Sequence, residues 1–311
     1  MTDQPSSNGS HGASVNDETL HHALVRDLLR LAHDEDVGSG DMSASLLADG
    51  RSTGTFQVLM KQPGVLAGCQ IPELLIPLYG DNLEFHWSSG MEDGVVPETL
   101  PTEVATVSGE IATVLTMERV LLNVLQRLCG VATVTRAYVD AVSGTEAQIL
   151  DTRKTIPGWR HLDKYAVRCG GGRNHRMGLY DAIMIKDNHF SGDDPRLMAA
   201  EVFQMLNRVL ESGIRPRFVE VEVDTLAQAE SMMSVLGVDV ILLDNFHPDE
   251  LREAVSLRDG FGLRGKVALE ASGGIDLSTV RAVAETGVER ISVGAITHSA
   301  MAIDLSMERV A

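Results

Sequence analysis

Six short apolar runs, AQIL, YDAIMI, RFVEVEV, VDVILL, KVALEA and RISVGA, alternate with helix-patterned stretches through the second half of this 311-residue chain. Strands that alternate with helices build parallel sheets, because a parallel neighbour needs a long crossover and a helix is the compact one. The pattern predicts an α/β domain whose sheet is open or curled into a barrel. The chemistry-bearing residues gather at the C-terminal ends of the runs. AQIL leads into Asp151, Thr152, Arg153 and Lys154, YDAIMI ends at Lys186, and RFVEVEV carries Glu222. VDVILL ends at Asp244, KVALEA at Ser272, Gly273 and Gly274, and RIS at Val293, Gly294 and Ala295. In an α/β barrel these ends converge on one mouth, where the chemistry sits. Six runs ending this way favour a barrel.

Charge narrows the ligand. The chain carries a formal net charge of −18, yet residues 151–189 hold eight Lys/Arg against four Asp. Concentrated cations on a structured frame suit a small, multiply charged anion, while the acidic remainder would repel nucleic acid. No apolar run approaches the roughly 18 residues that span a bilayer, so no membrane partner is expected. Residues 1–16 lack the basic and apolar regions of a secretory signal and read as a disordered tail, with a cytoplasmic location. The three cysteines have no metal-type spacing and read as reduced, mostly buried thiols. The ten histidines form no H-E-x-x-H or Cys/His cluster, which argues against zinc.

Upstream, Asn16 or Asp17 is expected to cap a helix through about Ala32, with Leu20, Leu24, Leu28 and Leu31 on one stripe. Residues 52–112 look β-rich, in the runs TFQVLM, GVLAG, LEFHW and EVATVSGEIATVL. A second helix, MERVLLNVLQRLCG, is expected to stop at Gly130.

The strand ends suggest their chemistry. Glycine after two late strands lets backbone N–H groups approach a phosphate, helped by the dipoles of the helices DLSTVRAVAETG and the one after Gly294; a plain turn is the alternative. In RFVEVEV, Val219, Val221 and Val223 share one face and Glu220 and Glu222 the other, so Glu222 points inward if the valines pack outward. It could face substrate or Mg²⁺, or fill the barrel in an internal Glu–Lys pair. Asp244 could equally cap the helix beginning at Pro248. Arg153, Lys154, His175, Arg176 and Lys186 bring positive charge to the same mouth. Arg168 and Arg173 read as surface or structural, and His161 and His189 as helix-end or loop residues. Carboxylate grips, a phosphate cradle and an acidic pair together suit ribosyl transfer from an activated sugar phosphate. A Schiff-base aldolase using Lys186 and a non-catalytic phosphate-binding barrel are the rival classes.

Longer motifs sharpen this reading. EDVGSGD, GVLAG, MERVLLNVLQRLCGVAT, DTRKTIPGWR, KYAVRCGGGRNHRMGLYDAIMIKDNH, VEVEVDTLAQ, ILLDNF and EASGGI resemble the quinolinate phosphoribosyltransferase family (nicotinate-nucleotide pyrophosphorylase, carboxylating) over residues 18–305. The resemblance implies an α/β protein: an N-terminal α/β open sandwich over 17–130, joined by 299–311, and a C-terminal incomplete seven-stranded α/β barrel over 131–298. It implies a reaction of quinolinate with phosphoribosyl pyrophosphate, giving nicotinate mononucleotide, CO₂ and pyrophosphate with Mg²⁺, in NAD biosynthesis. By position, Arg119, Arg153, His175 and Arg176 would hold the two quinolinate carboxylates, and Lys154 and Lys186 would reach both substrates. Glu222 and Asp244 would serve the ribose and Mg²⁺; Ser272, Gly273, Gly274, Gly294 and His298 would take the 5-phosphate, and Thr152, Val293 and Ala295 would also bind substrate. The family's assembly is a head-to-tail homodimer, or a hexamer, in which Arg119 enters the neighbouring subunit's site. A related pyrophosphorylase using another acid acceptor is the alternative, and Trp159 is expected to shape the pocket entrance.

Overall fold

Burial alternates along strand β1, Thr53–Met60, with Phe56, Val58 and Met60 covered, the period of two that a sheet with one packed face requires. The computed structural model describes residues 19–80 and 82–310, so the expected tail and the cap residues Asn16 and Asp17 lie outside it. β1, β2 (Glu84–Trp87) and β3 (Thr102–Glu110) join the C-terminal strand Leu305–Arg309 in an antiparallel sheet. Its order is C-terminal strand, β1, β3, β2. These strands belong to a first unit, Met1–Gly130 with Ala302–Ala311; Val131–Met301 form a second.

Three expectations for the first unit need correction. Helix α1 spans Ala23–Val37, and His22 caps it by accepting the Leu24 N–H. Leu20, Val25 and Leu29 are buried, whereas Leu24 and Leu31 are 55% and 62% exposed. In so leucine-rich a stretch two adjacent stripes are apolar, and only packing selects between them. GVLAG is buried but forms no strand. Its backbone is satisfied by a two-bond exchange of Leu66 with Gly94 and Val95, and by the Asp93 carboxylate, which accepts from Gly68 and Cys69 N–H. After the short helix α2 (Ile71–Leu75), helix α3 runs from Ile111 to Ala141. It therefore takes in IATVL, expected as strand, and continues through Gly130. A mid-helix glycine costs about 1 kcal/mol, and burial of Leu128, Cys129, Val131 and Ala132 around it outweighs that. Burial also pushes the Cys129 thiol up to about 12, and none of the three cysteines is in a disulfide.

In the second unit the six apolar runs all form strands: β4 (Gln148–Leu150), β5 (Ile183–Ile185), β6 (Val219–Val223), β7 (Val240–Asp244), β8 (Ala268–Ser272) and β9 (Arg290–Ser292). They make one parallel sheet of order β4-β9-β8-β7-β6-β5. Helices α4 (Arg160–Cys169), α5 (Pro195–Ser212), α6 (Leu226–Met233), α7 (Pro248–Gly260), α8 (Val280–Ala284) and α9 (Ala295–His298) lie between or after the strands. The seventh position is a single parallel bridge of Arg173 to Leu150, made by Arg173 N–H to Ile149 O and Asp151 N–H to Arg173 O. Among the described residues β5 pairs only with β6, so the barrel stays incomplete at this seam. Register sets the mouth: Leu150 is level with Ser292, and Asp244 with Ser272.

Candidate active site

At that rim the second unit encloses a cavity of about 280 Å³. Thr152, Arg153 and Lys154 line it after β4, and His175 and Arg176 after the Arg173 bridge. Lys186, Glu222, Asp244 and Ser272 line it from the ends of β5 to β8. Residues far apart in the chain thus meet around one opening lined by both cations and carboxylates. Gly294 borders this group, since a Cβ added there would meet Lys154 Cδ at 3.1 Å and the His298 ring at 3.2 Å. Arg119 belongs to the first unit, where it is 60% exposed with Glu118 at 3.9 Å. Trp159 directly precedes α4 and is not among the residues lining the cavity itself.

The basic wall is held by hydrogen bonds between loops. Thr152 Oγ1 accepts the Lys154 N–H at 3.0 Å. Arg160 donates to Thr155 Oγ1 and to Met177 O, tying the loop after β4 to the one after Arg176. Asp181 accepts the Met177 and Gly178 N–H groups at 2.9 and 3.0 Å. Burial, and next the charge of Arg153, lower the Arg176 guanidinium below its ordinary value. The charges of Glu220, Asp181 and Glu222 act on Arg176 in the other direction.

At the same mouth, Lys186 Nζ donates to Glu222 Oε2 at 2.7 Å. This is the Glu–Lys pair foreseen as the alternative for Glu222, but it faces the cavity, with side chains 39% and 17% exposed. An amine engaged by a carboxylate in this way is not free to attack a carbonyl, which counts against a Schiff-base nucleophile. Burial raises the Asp244 carboxyl, and the charges of Glu222 and Asp224 raise it further. Asp244 does not cap α7; His247 does.

The glycine loops divide. Gly273 and Gly274 both have positive φ, +93° and +60°, which residues with a Cβ adopt only under strain. A Cβ on Gly273 would strike the Asn245 side chain, whereas that position on Gly274 is open. Gly294 has φ −67° and needs no special backbone, so its missing side chain leaves room for Lys154 and His298. The helix dipoles expected behind these loops are minor: α9 has four residues, and α8 begins only at Val280 because an Asp276 turn, accepting from Ser278 and Thr279 N–H, comes first.

Beneath the mouth lies a buried cluster that pattern reading missed. His175 Nε2 is 2.9 Å from Glu220 and 3.4 Å from Glu270, and Arg290 pairs with Glu270 at 2.5 Å. These three donors, His175, Glu220 and Glu270, are also a metal-type group of the kind the histidine spacing argued against. Burial opposes a charged His175, but the bonds to Glu220 and Glu270 outweigh it and raise the ring to about 9. Nδ1 accepts the Arg176 N–H at 2.8 Å, a bond that a doubly protonated ring would lose. The signal was present in the alternation, since Glu220 shares a strand face with Glu222, and Glu270 with Ser272. Arg168 is structural, donating to Asn174 Oδ1.

Family models described as quinolinate phosphoribosyl transferase, N-terminal domain and C-terminal domain, match residues 41–129 and 131–308. The chain belongs to the quinolinate phosphoribosyl transferase family. It is 36% identical over 293 residues to a probable nicotinate-nucleotide pyrophosphorylase [carboxylating] of Bacillus subtilis, covering 93% of this chain and 94% of the relative. The Mycobacterium leprae nicotinate-nucleotide pyrophosphorylase [carboxylating] is 38% identical over 286 residues, 91% and 96% of the two chains. The solved nicotinate-nucleotide pyrophosphorylase of Francisella tularensis superposes with a TM-score of 0.81 at 38% identity, covering 92% and 96%. As a member of the quinolinate phosphoribosyl transferase family the chain is a pentosyltransferase of NAD biosynthesis, on the family's sandwich and barrel-like fold.

Proposed function

We propose that this cavity joins quinolinate to phosphoribosyl pyrophosphate and releases nicotinate mononucleotide, CO₂ and pyrophosphate. The observation that carries the reading is the convergence of Arg153, Arg176, Glu222 and Asp244 around one mouth. Arg153, Arg176 and Thr152 grip the two ring carboxylates, with His175 behind them, and a guanidinium fork matches a carboxylate's two oxygens. Lys154 and Lys186 draw off the pyrophosphate, and Glu222 and Asp244 face the ribose as positive charge develops there. Ser272, Gly273, Gly274, Val293, Gly294, Ala295 and His298 receive the 5-phosphate. Once the ring nitrogen is ribosylated, its positive charge stabilises the electron pair left on the adjacent ring carbon as that carboxylate departs as CO₂, and a proton from solvent then forms the new C–H bond. For that step the protein need only orient the pair and balance charge.

The donor set fits Mg²⁺. Glu222 and Asp244 offer hard carboxylate oxygens at neighbouring strand ends, and the charges of Glu222 and Asp224, which add to burial in raising the Asp244 carboxyl, are ones a dication would relieve. When bound, the ion would neutralise pyrophosphate charge.

The enzyme is proposed to work in the cytoplasm as a homodimer, with Arg119 entering the neighbour's site. No helix among the described residues is long and apolar enough to cross a membrane. Arg119→Ala and Lys154→Ala proteins, each inactive alone, should recover activity when mixed and allowed to exchange subunits. Failure to recover, with exchange confirmed, would place Arg119 outside any shared site.

The reaction itself is tested by incubating the protein with quinolinate, phosphoribosyl pyrophosphate and Mg²⁺, with nicotinate in parallel. Equal amounts of CO₂ and nicotinate mononucleotide are expected from quinolinate, and little product from nicotinate. Preference for nicotinate would favour the related pyrophosphorylase reading instead.

A further inference from the structure

We propose that the buried ion pair of Asp151 and Lys164 is a positioning device for His175 and Arg176, standing in for the strand pairing with β4 that their segment loses beyond the Arg173 bridge. This rests on the reading of Arg176 and His175 as part of the quinolinate grip. The segment carrying them touches the sheet through the Arg173 bridge to Leu150. Two residues on, the chain has left the sheet, yet residue 175 is buried and its N–H and C=O still need partners. In a parallel sheet a neighbouring strand would offer one acceptor and one donor. Here side chains do so: Asp151 Oδ1 accepts the His175 N–H at 2.9 Å, and Lys164 Nζ donates to His175 O at 3.3 Å.

The two side chains are fully buried and paired to each other. Asn174 braces them, its Nδ2 donating to Asp151 Oδ2 at 2.6 Å and to Lys164 O at 2.8 Å. Burial raises the Asp151 carboxyl and lowers the Lys164 ammonium, against their mutual attraction. For stability alone, a well-packed apolar pair would serve as well or better. What an apolar pair cannot do is hold both backbone groups of one residue. With that backbone fixed, the Arg176 N–H reaches His175 Nδ1 and its guanidinium reaches Ala182 O on the far side of the seam at 3.4 Å. The aim of both side chains into the cavity follows.

The test compares Lys164→Met with the double variant Asp151→Asn/Lys164→Met, by urea unfolding and by steady-state kinetics with each substrate varied in turn. Lys164→Met strands a buried carboxylate and should lose stability, whereas the double variant carries no net charge there and should regain it. The quinolinate KM should nevertheless be about 10- to 100-fold raised in both, the scale of a small misplacement of a binding group. The KM for phosphoribosyl pyrophosphate should change far less. A double variant that regains wild-type stability and wild-type quinolinate KM together overturns the proposal. Asn174→Ala leaves both charges paired and should show the same selective rise at smaller size; if the other variants do not fold, an unchanged quinolinate KM here overturns it. Wild-type protein inactive on quinolinate would instead refute the function on which the inference rests.

Discussion

Arg153→Ala is expected to lower kcat/KM for quinolinate by about 30- to 1000-fold, some 2–4 kcal/mol of transition-state binding lost with a charge-assisted bidentate contact. Arg153 follows β4 directly and lines the cavity wall, and its charge already disfavours that of Arg176. The pair is therefore held against its own repulsion, and a bound dicarboxylate relieves it. Removing one member leaves a carboxylate without its fork. Arg153→Lys should fall between wild type and alanine, since lysine keeps the charge and loses the planar geometry. Steady-state assays of both variants with quinolinate decide it. Wild-type kcat/KM in the alanine variant would remove Arg153 from the site.

A second large effect is expected at the other end of the barrel. Arg258, in the last turn of α7, is 1% exposed. It donates to Glu289 Oε1 and Asp259 Oδ1, both at 2.6 Å, and to Val267 O at 3.2 Å. Glu289 Oε2 in turn accepts the Leu269 N–H, and Glu289 O accepts the Gln148 N–H. One guanidinium thus ties α7 to the start of β8 and to the residue before β9. Arg258→Met should cost about 3 kcal/mol, less than for a fully buried pair because Glu289 and Asp259 keep some contact with water. Urea unfolding measures this, and kcat of the folded protein should be unchanged. A loss under about 0.5 kcal/mol would show that packing, not this node, secures the base of the barrel.

Much of this was legible in the chain before any coordinates. All six apolar runs are strands, since alternation of strand and helix is a local property of the sequence. Glu222, Asp244, Lys186 and the residues after β4 meet at one mouth because parallel strands share one direction. The failures share a cause as well. The α1 stripe, the non-strand GVLAG and the helix through Gly130 were each settled by partners distant in the chain: packing on Val25 and Leu29, the Asp93 carboxylate, and burial on either side of the glycine. His175 was foreseen at the site, but the acids that confront its ring, Glu220 and Glu270, were not, although their strand faces were readable.

From its residues alone the chain determined a parallel α/β domain, a cationic stretch within an acidic molecule and a row of charged strand ends, because period and charge are written locally. Tertiary structure decided which charges touch: Lys186 with Glu222, Arg290 with Glu270, and Asp151 with Lys164. Such pairs depend on distances of a few ångströms between segments tens of residues apart, and these distances exist only once the sheet has curled.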